Sequence, residues 1–167
     1  MRWIWIDRFL EFESGKRALA VKNVSLAEEY LHDHWAAYPV MPASLMIEGM
    51  AQTGGILVGQ ARNFQHDVVL AKISKAEFTG IAVPGDQLTY EAEIENLAPE
   101  AASIRGTVRK NGELFGQVNM MFSHADNAMQ DIELPENFVF TGSFQRMVEP
   151  FLQNDTQQTN ELETSNE

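Results

Sequence analysis

No cysteine occurs among the 167 residues. This excludes disulfides, thiolate metal sites and a cysteine nucleophile, and makes the cytoplasm the default compartment. A glycine-rich phosphate loop, a βαβ rhythm and an internal repeat are equally absent, so neither a nucleotide-binding α/β fold nor a solenoid is indicated. Positive charge is scarce: 12 Lys and Arg stand against 24 Asp and Glu. The deficit is uneven. Residues 1–125 hold 11 basic and 15 acidic side chains, a net of −4, and residues 126–167 hold one and nine, a net of −8. Nucleic acid is disfavoured as a partner of either part, because phosphate binding calls for a basic surface.

One long apolar run is present, over residues 40–59. It approaches bilayer length, but Pro39 and Pro42 open it and Glu48 and Gln52 interrupt it. A helix enclosed in a protein core fits better than a membrane span. The N-terminal MRWIWIDRFLEF carries Asp7 within its apolar part and no small-residue cleavage site, so no signal peptide is expected.

The chain is organised around His34 to Gly59, HWAAYPVMPASLMIEGMAQTGGILVG. Tyr38 and Met41 each precede a proline and are pushed toward extended geometry, which places the first helical residue at Pro42 or Ala43. The free N–H groups of the opening turn then point back at the loop that bears His34. Ser44, Glu48 and Gln52 are spaced four apart, one polar stripe on an otherwise apolar rod. A buried, unpaired carboxylate such as Glu48 raises its pKa and holds a proton, as a general acid requires. His34, fourteen positions earlier on a loop, need not meet Glu48 within one subunit; a symmetric dimer brings one chain's histidine to the other chain's glutamate.

On either side of this stretch the pattern is that of strands. Residues 3–12 and 17–24 read as a hairpin through Ser14-Gly15, and Ser25 with Glu28 forms a capping box for a short helix through Leu31. After the long helix come an apolar strand at 68–78, a turn at Pro84-Gly85-Asp86, and an alternating strand at 87–95 with Leu88, Tyr90, Ala92 and Ile94 on one face. Strands at 102–109 and 113–123 flank Asn111-Gly112, a type I′ hairpin signal. The order predicts an α+β fold, a curved antiparallel sheet wrapped around one central helix. The domain is expected to span 1–125. Residues 126–167 form an acidic extension in which Phe138, Phe140, Phe144, Met147, Val148, Phe151 and Leu152 are apolar and 153–167 have the composition of a disordered tail.

The pattern H-x-x-x-x-P-V-M-P-x-x-L-x-I-E-x-M-A-Q-x-G-G, from His34 to Gly55, resembles the signature of the 3-hydroxyacyl-[acyl-carrier-protein] dehydratases with the hot-dog fold. The resemblance runs from about residue 4 to 123, through RFLEFESGKRALAVKNVS and KAEFTGIAVPGDQLTYEAEI. It implies that His34 and Glu48 are the catalytic pair, contributed by opposite subunits, and that the backbone N–H of Ala43 polarises the substrate thioester carbonyl. Glutamate rather than aspartate in IEGMAQ resembles the elongation dehydratase rather than the bifunctional dehydratase/isomerase.

Met41 and Gln52 are further substrate-site candidates: Met41, with Met46 and Met50, as core or acyl-tunnel lining, and Gln52 as a contact to substrate or as the support of Glu48. No metal or organic cofactor is implied, and His32, His66 and His124 lack matched partners. The implied partners are an acyl carrier protein bearing a 3-hydroxyacyl thioester and a second copy of the chain, as a homodimer or a trimer of dimers. For the acidic carrier, Lys72, Lys75, Arg105, Arg109 and Lys110 are the available basic residues. Where the family commonly reads His-Phe-Pro-Gly and then Pro-Gly, this chain has His34-Trp35-Ala36-Ala37 and Pro42-Ala43. Two rival readings follow: a hot-dog thioesterase that needs only Glu48, and a non-catalytic acyl-chain or carrier-binding protein.

Overall fold

The computed structural model describes residues 4–33, 37–65, 67–124, 142 and 144–152. Within them a six-stranded antiparallel sheet wraps one long helix. The strands are β1 (Arg8–Glu13), β2 (Arg17–Asn23), β3 (Val68–Phe78), β4 (Gln87–Leu97), β5 (Ala101–Lys110) and β6 (Glu113–His124). The helices are α1 (Tyr30–Asp33), α2 (Ala43–Gln60) and α3, residues 144–152.

Sheet order is β1-β2-β4-β5-β6-β3. The chain leaves β2 through α2, enters the sheet again at the far edge as β3, and returns beside β2 as β4. Leu88 pairs with Lys22 and Tyr90 with Ala20 across β2–β4. Asn111 and Gly112 both take positive φ, 53° and 89°, so the β5–β6 turn has the twist a two-residue hairpin requires.

Helix α2 begins at Ala43 with Pro42 as its N-terminal flank, where the ring's fixed φ and missing N–H cost nothing. From Gly49 to Gln60 every residue is buried, so this rod sits inside the sheet's concave face. Met46, Met50, Ile56 and Leu57 pack there with Leu88, Tyr90, Ile104, Val118, Met120 and Phe122. The alternation in β4 buries Leu88, Tyr90 and Ala92 and leaves Glu95 exposed, the one-wet-face pattern the sequence predicts.

Two local expectations are corrected. The helix foreseen over Ser25–Leu31 is confined to Tyr30–Asp33. Ser25 does accept the N–H of Ala27 at 3.2 Å, but the Glu28 carboxylate turns to the buried Lys22 ammonium at 2.5 Å, and a tertiary ion pair displaces the capping box. The first strand begins at Arg8 rather than Trp3, because Trp5 uses its N–H outside the sheet, as described below.

Helix α3 lies beyond the antiparallel domain in sequence and packs onto it. Val148 is fully buried, and Phe151 meets Phe12 of β1 with ring centroids 6.3 Å apart. Phe138, Phe140 and the acidic residues 153–167 lie outside the described residues.

Candidate active site

Glu48 sits on the second turn of α2, and it is half-buried. Burial pushes its carboxyl above the ordinary glutamate range, and a hydrogen bond from Gln52 opposes that in part. The bond runs from Gln52 Nε2 to Glu48 Oε1 at 3.0 Å, one helical turn apart, as the i, i+4 spacing dictates. Gln52 is itself buried, and its Oε1 accepts the backbone N–H of Trp5 at 2.8 Å. Ser44, the third member of the stripe, is exposed.

The segment before α2 is held by main-chain bonds. Met41 N–H donates to the Ala82 carbonyl at 2.8 Å, an isolated bridge, and Met41 is 2% exposed. The 82–86 turn is held in turn by Asp86, whose carboxylate accepts Val83 N–H at 2.9 Å and Asn111 Nδ2 at 2.8 Å. Burial acts to raise the Asp86 pKa, but these hydrogen bonds and Lys110 outweigh it and hold the carboxyl below the usual range. Ala43, exposed, is the first residue of the helix. Helix geometry leaves its N–H without an intrahelical acceptor, at the positive end of the helix dipole.

His34 lies outside the described residues, as do Trp35, Ala36 and His66. Of the residues singled out from sequence, the structure therefore brings together Glu48 and Gln52 directly, and places Met41 and Ala43 immediately before and at the start of the same helix. His32 is exposed and bonds the Leu26 carbonyl at 2.8 Å. Among the described residues no group of three His, Cys, Asp or Glu is arranged to hold a metal ion.

Two features of the site are absent from the sequence reading. One is Trp5, which reaches the polar stripe of α2 through its backbone rather than its side chain, so no residue-type signal marks it. The other is Tyr90, buried beneath α2: a Cβ added to Gly49 would lie 2.7 Å from its ring. A cavity of about 530 Å³ opens beside Trp5, with Asp7, Lys22, Glu28 and Tyr30 among its walls. Glu48 is not one of them.

A half-buried glutamate whose pKa is raised by burial, on an enclosed helix whose first-turn N–H groups lack intrahelical acceptors, is suited to acid chemistry at a polarised carbonyl. Comparison with known proteins then fixes the kinship. Residues 3–120 match the family model described as the FabA-like domain. The chain belongs to the FabA-like family.

Relatives within it include the 3-hydroxyacyl-[acyl-carrier-protein] dehydratase FabZ of Pelotomaculum thermopropionicum, 38% identical over 122 residues, covering 72% of this chain and 87% of the relative. The FabZ of Hydrogenobaculum sp. is 38% identical over 119 residues, 70% of this chain and 80% of the relative. Among solved structures, the dehydratase heterocomplex ApeI:P from Xenorhabdus doucetiae superimposes with a TM-score of 0.60 at 14% identity, over 73% of this chain and 83% of that one. A hypothetical thioesterase from Streptococcus pneumoniae, with coenzyme A, does so with a TM-score of 0.55 at 10% identity, over 70% and 86%. At such identities the structural likeness speaks for the hot-dog fold alone. The FabA-like match ends before α3.

Proposed function

We propose that this chain dehydrates (3R)-3-hydroxyacyl-[acyl-carrier-protein] thioesters to trans-2-enoyl thioesters in fatty-acid biosynthesis. The observation that carries the reading is Glu48: a half-buried carboxyl with a raised pKa, held by Gln52 at 3.0 Å, in a chain 38% identical to FabZ dehydratases over most of its length. The fold by itself serves dehydratases and thioesterases alike, so the relatives' sequences favour the first.

The chemistry divides between two groups. His34, in its neutral form, removes the proton α to the thioester carbonyl, while the N–H of Ala43 stabilises the negative charge that grows on the carbonyl oxygen. The bond from C3 to its hydroxyl breaks as Glu48 gives that oxygen its proton, and water leaves. Transfer of the proton now on His34 back to Glu48 resets the pair. The main chain, one imidazole and one carboxyl account for every proton moved, and the step is redox-neutral.

The site is completed by a second copy of the chain. In support, β3 is an edge strand of eleven residues, and Leu70, Ile73 and neighbouring Met121 are exposed apolar side chains along it. An open apolar edge of this length invites another strand, and two β3 strands meeting about a twofold axis form a continuous sheet. This dimer sets His34 of one protomer against Glu48 of the other; a trimer of dimers is the larger assembly.

For the acidic carrier, much of the basic surface is already engaged. Arg105 pairs with Glu93 at 2.8 Å and Lys75 with Glu77 at 3.2 Å, which leaves the exposed Lys72 and Arg109 as docking residues. The chain works in the cytoplasm, in keeping with a cysteine-free sequence. Among the described residues no helix is long and apolar enough to cross a membrane.

The deciding experiment is turnover of a 3-hydroxyacyl thioester followed by the appearance of the conjugated enoyl product. Parent protein should form it, and His34→Ala and Glu48→Gln should each abolish it. Release of free thiol and acid from a saturated acyl thioester would point to the thioesterase instead. Carrier binding without turnover would point to the non-catalytic reading.

A further inference from the structure

We propose that the main-chain N–H of Trp5 and the side chain of Gln52 form a positioning relay that commits Oε1 of Glu48 to accepting and so reserves Oε2 for the catalytic proton. The inference deepens the dehydratase reading and rests on it for its kinetic consequences.

The hydrogen-bonding capacity of each atom fixes the orientation of the Gln52 amide. A backbone N–H is a donor only, so the Gln52 atom 2.8 Å from Trp5 N has to be the carbonyl oxygen Oε1. The amide is then locked the other way round at its far corner: Nε2, a donor only, faces Glu48 Oε1 at 3.0 Å. An oxygen that accepts from an N–H cannot also present a proton to it. When Glu48 holds a proton, the state that burial favours, that proton therefore sits on Oε2, which meets no hydrogen-bonding partner among the described residues. Reversed, an amide oxygen would face Glu48 Oε1 and draw the proton inward, away from substrate.

The anchor of the relay is held by several contacts. Ile4 to Asp7 form an arm ahead of β1. Asp7 fastens it to β2: Oδ2 accepts Asn23 N–H at 2.7 Å and Asn23 Nδ2 at 3.0 Å, and Oδ1 faces Lys22 Nζ at 3.3 Å. Asp7 N–H in turn reaches the Val21 carbonyl at 2.7 Å. Two residues back, the Trp5 ring is 2% exposed and stands edge-on to Tyr30, centroids 5.2 Å apart. Trp5 cannot drift without breaking these contacts, so its N–H is a fixed reference for Gln52. Gln52 and the arm are thus positioning residues, and Glu48 is the group that meets substrate.

Among the described residues no charged side chain perturbs Glu48; burial raises its pKa and the Gln52 bond lowers it. Gln52→Met keeps the length of the side chain and removes the donor, so burial then acts unopposed. In that variant the carbon-13 resonance of the Glu48 carboxyl should titrate at higher pH than in the parent. The alkaline limb of kcat/KM should move up with it, while kcat falls about tenfold, the worth of one hydrogen bond to an ionisable group, at unchanged KM.

Asp7→Ala, which loosens only the arm, should shift the titration in the same direction by less. A parental titration in folded Gln52→Met, or a loss confined to KM, overturns the relay and makes Gln52 a substrate contact. A shift in Gln52→Met with none in Asp7→Ala overturns the arm's part. Should Glu48→Gln retain turnover, the dehydratase reading fails, and the carboxyl titration, which needs no turnover, still decides the relay.

Discussion

The phenol of Tyr90 is driven against the backbone of Gly49, one residue past Glu48, so closely that a methyl group at Gly49 would stand 2.7 Å from Cζ and 2.9 Å from the hydroxyl oxygen. Tyr90 is fully buried at the centre of the sheet. Helix and strand approach here because one side chain is missing and the other is large. The pair sets the depth at which α2, and with it Glu48, rests in the sheet.

Gly49→Ala should therefore destabilise the fold by about 1–3 kcal/mol through overpacking, although alanine is the better helix former. In a Tyr90→Leu background the sign should reverse, with Gly49→Ala gaining about 1 kcal/mol from helix propensity. Urea unfolding of the four proteins gives the coupling directly.

The Tyr90 hydroxyl is buried with no hydrogen-bond partner among the described residues, and burial raises its pKa. Tyr90→Phe removes a desolvated polar atom and nothing else. Thermal unfolding should show stability unchanged or improved, by up to about 1–2 kcal/mol.

Glu48 links stability to pH in a definite direction. Its folded pKa is raised by burial, so the native state binds the proton more tightly than the unfolded chain, and stability is lost as pH climbs above the unfolded value of about 4.3. Glu48→Gln should unfold at a higher temperature than the parent at pH 8. The difference should shrink as the buffer is taken below that value. The same substitution should abolish turnover, a conflict between stability and chemistry expected of an active-site acid.

Asp86 has the opposite sign. Hydrogen bonds from Val83 and Asn111 and the nearby Lys110 hold its carboxyl low, so its contribution is present above the unfolded value of about 3.9 and fades as pH falls through the lower folded one. Asp86→Asn should lower the melting temperature at neutral pH and converge with the parent in strong acid. Because the turn it clamps bears the Ala82 carbonyl that holds Met41, catalytic turnover should fall as well.

A site shared between protomers, as proposed, predicts complementation. His34→Ala and Glu48→Gln proteins, each inactive, should recover about a quarter of parental activity when unfolded and refolded together, since half the dimers are mixed and each of those has one intact site. Ile73→Lys on the β3 edge should halve the solution mass measured by light scattering and abolish turnover. Truncation to test the acidic tail has to stop after Leu152, because Val148 and Phe151 belong to the packed core.

Much of this molecule was legible in its residues. Two prolines and a long, mostly apolar run set the start and the enclosure of α2; alternation in 87–95 and Asn111-Gly112 set the strands and their turn; a four-residue spacing put Glu48 and Gln52 on one stripe. Each is a local rule, in which neighbours in sequence decide φ, ψ and facing. Only the tertiary structure decided the rest. It spent the Glu28 carboxylate on Lys22 instead of a helix cap, sent β3 to the far edge of the sheet, set Tyr90 against a bare Gly49, and brought the Trp5 N–H across 47 positions to Gln52. Those are contacts between residues remote in the chain, chosen by packing and by the need of every buried donor for an acceptor, and a backbone N–H carries no letter in the sequence.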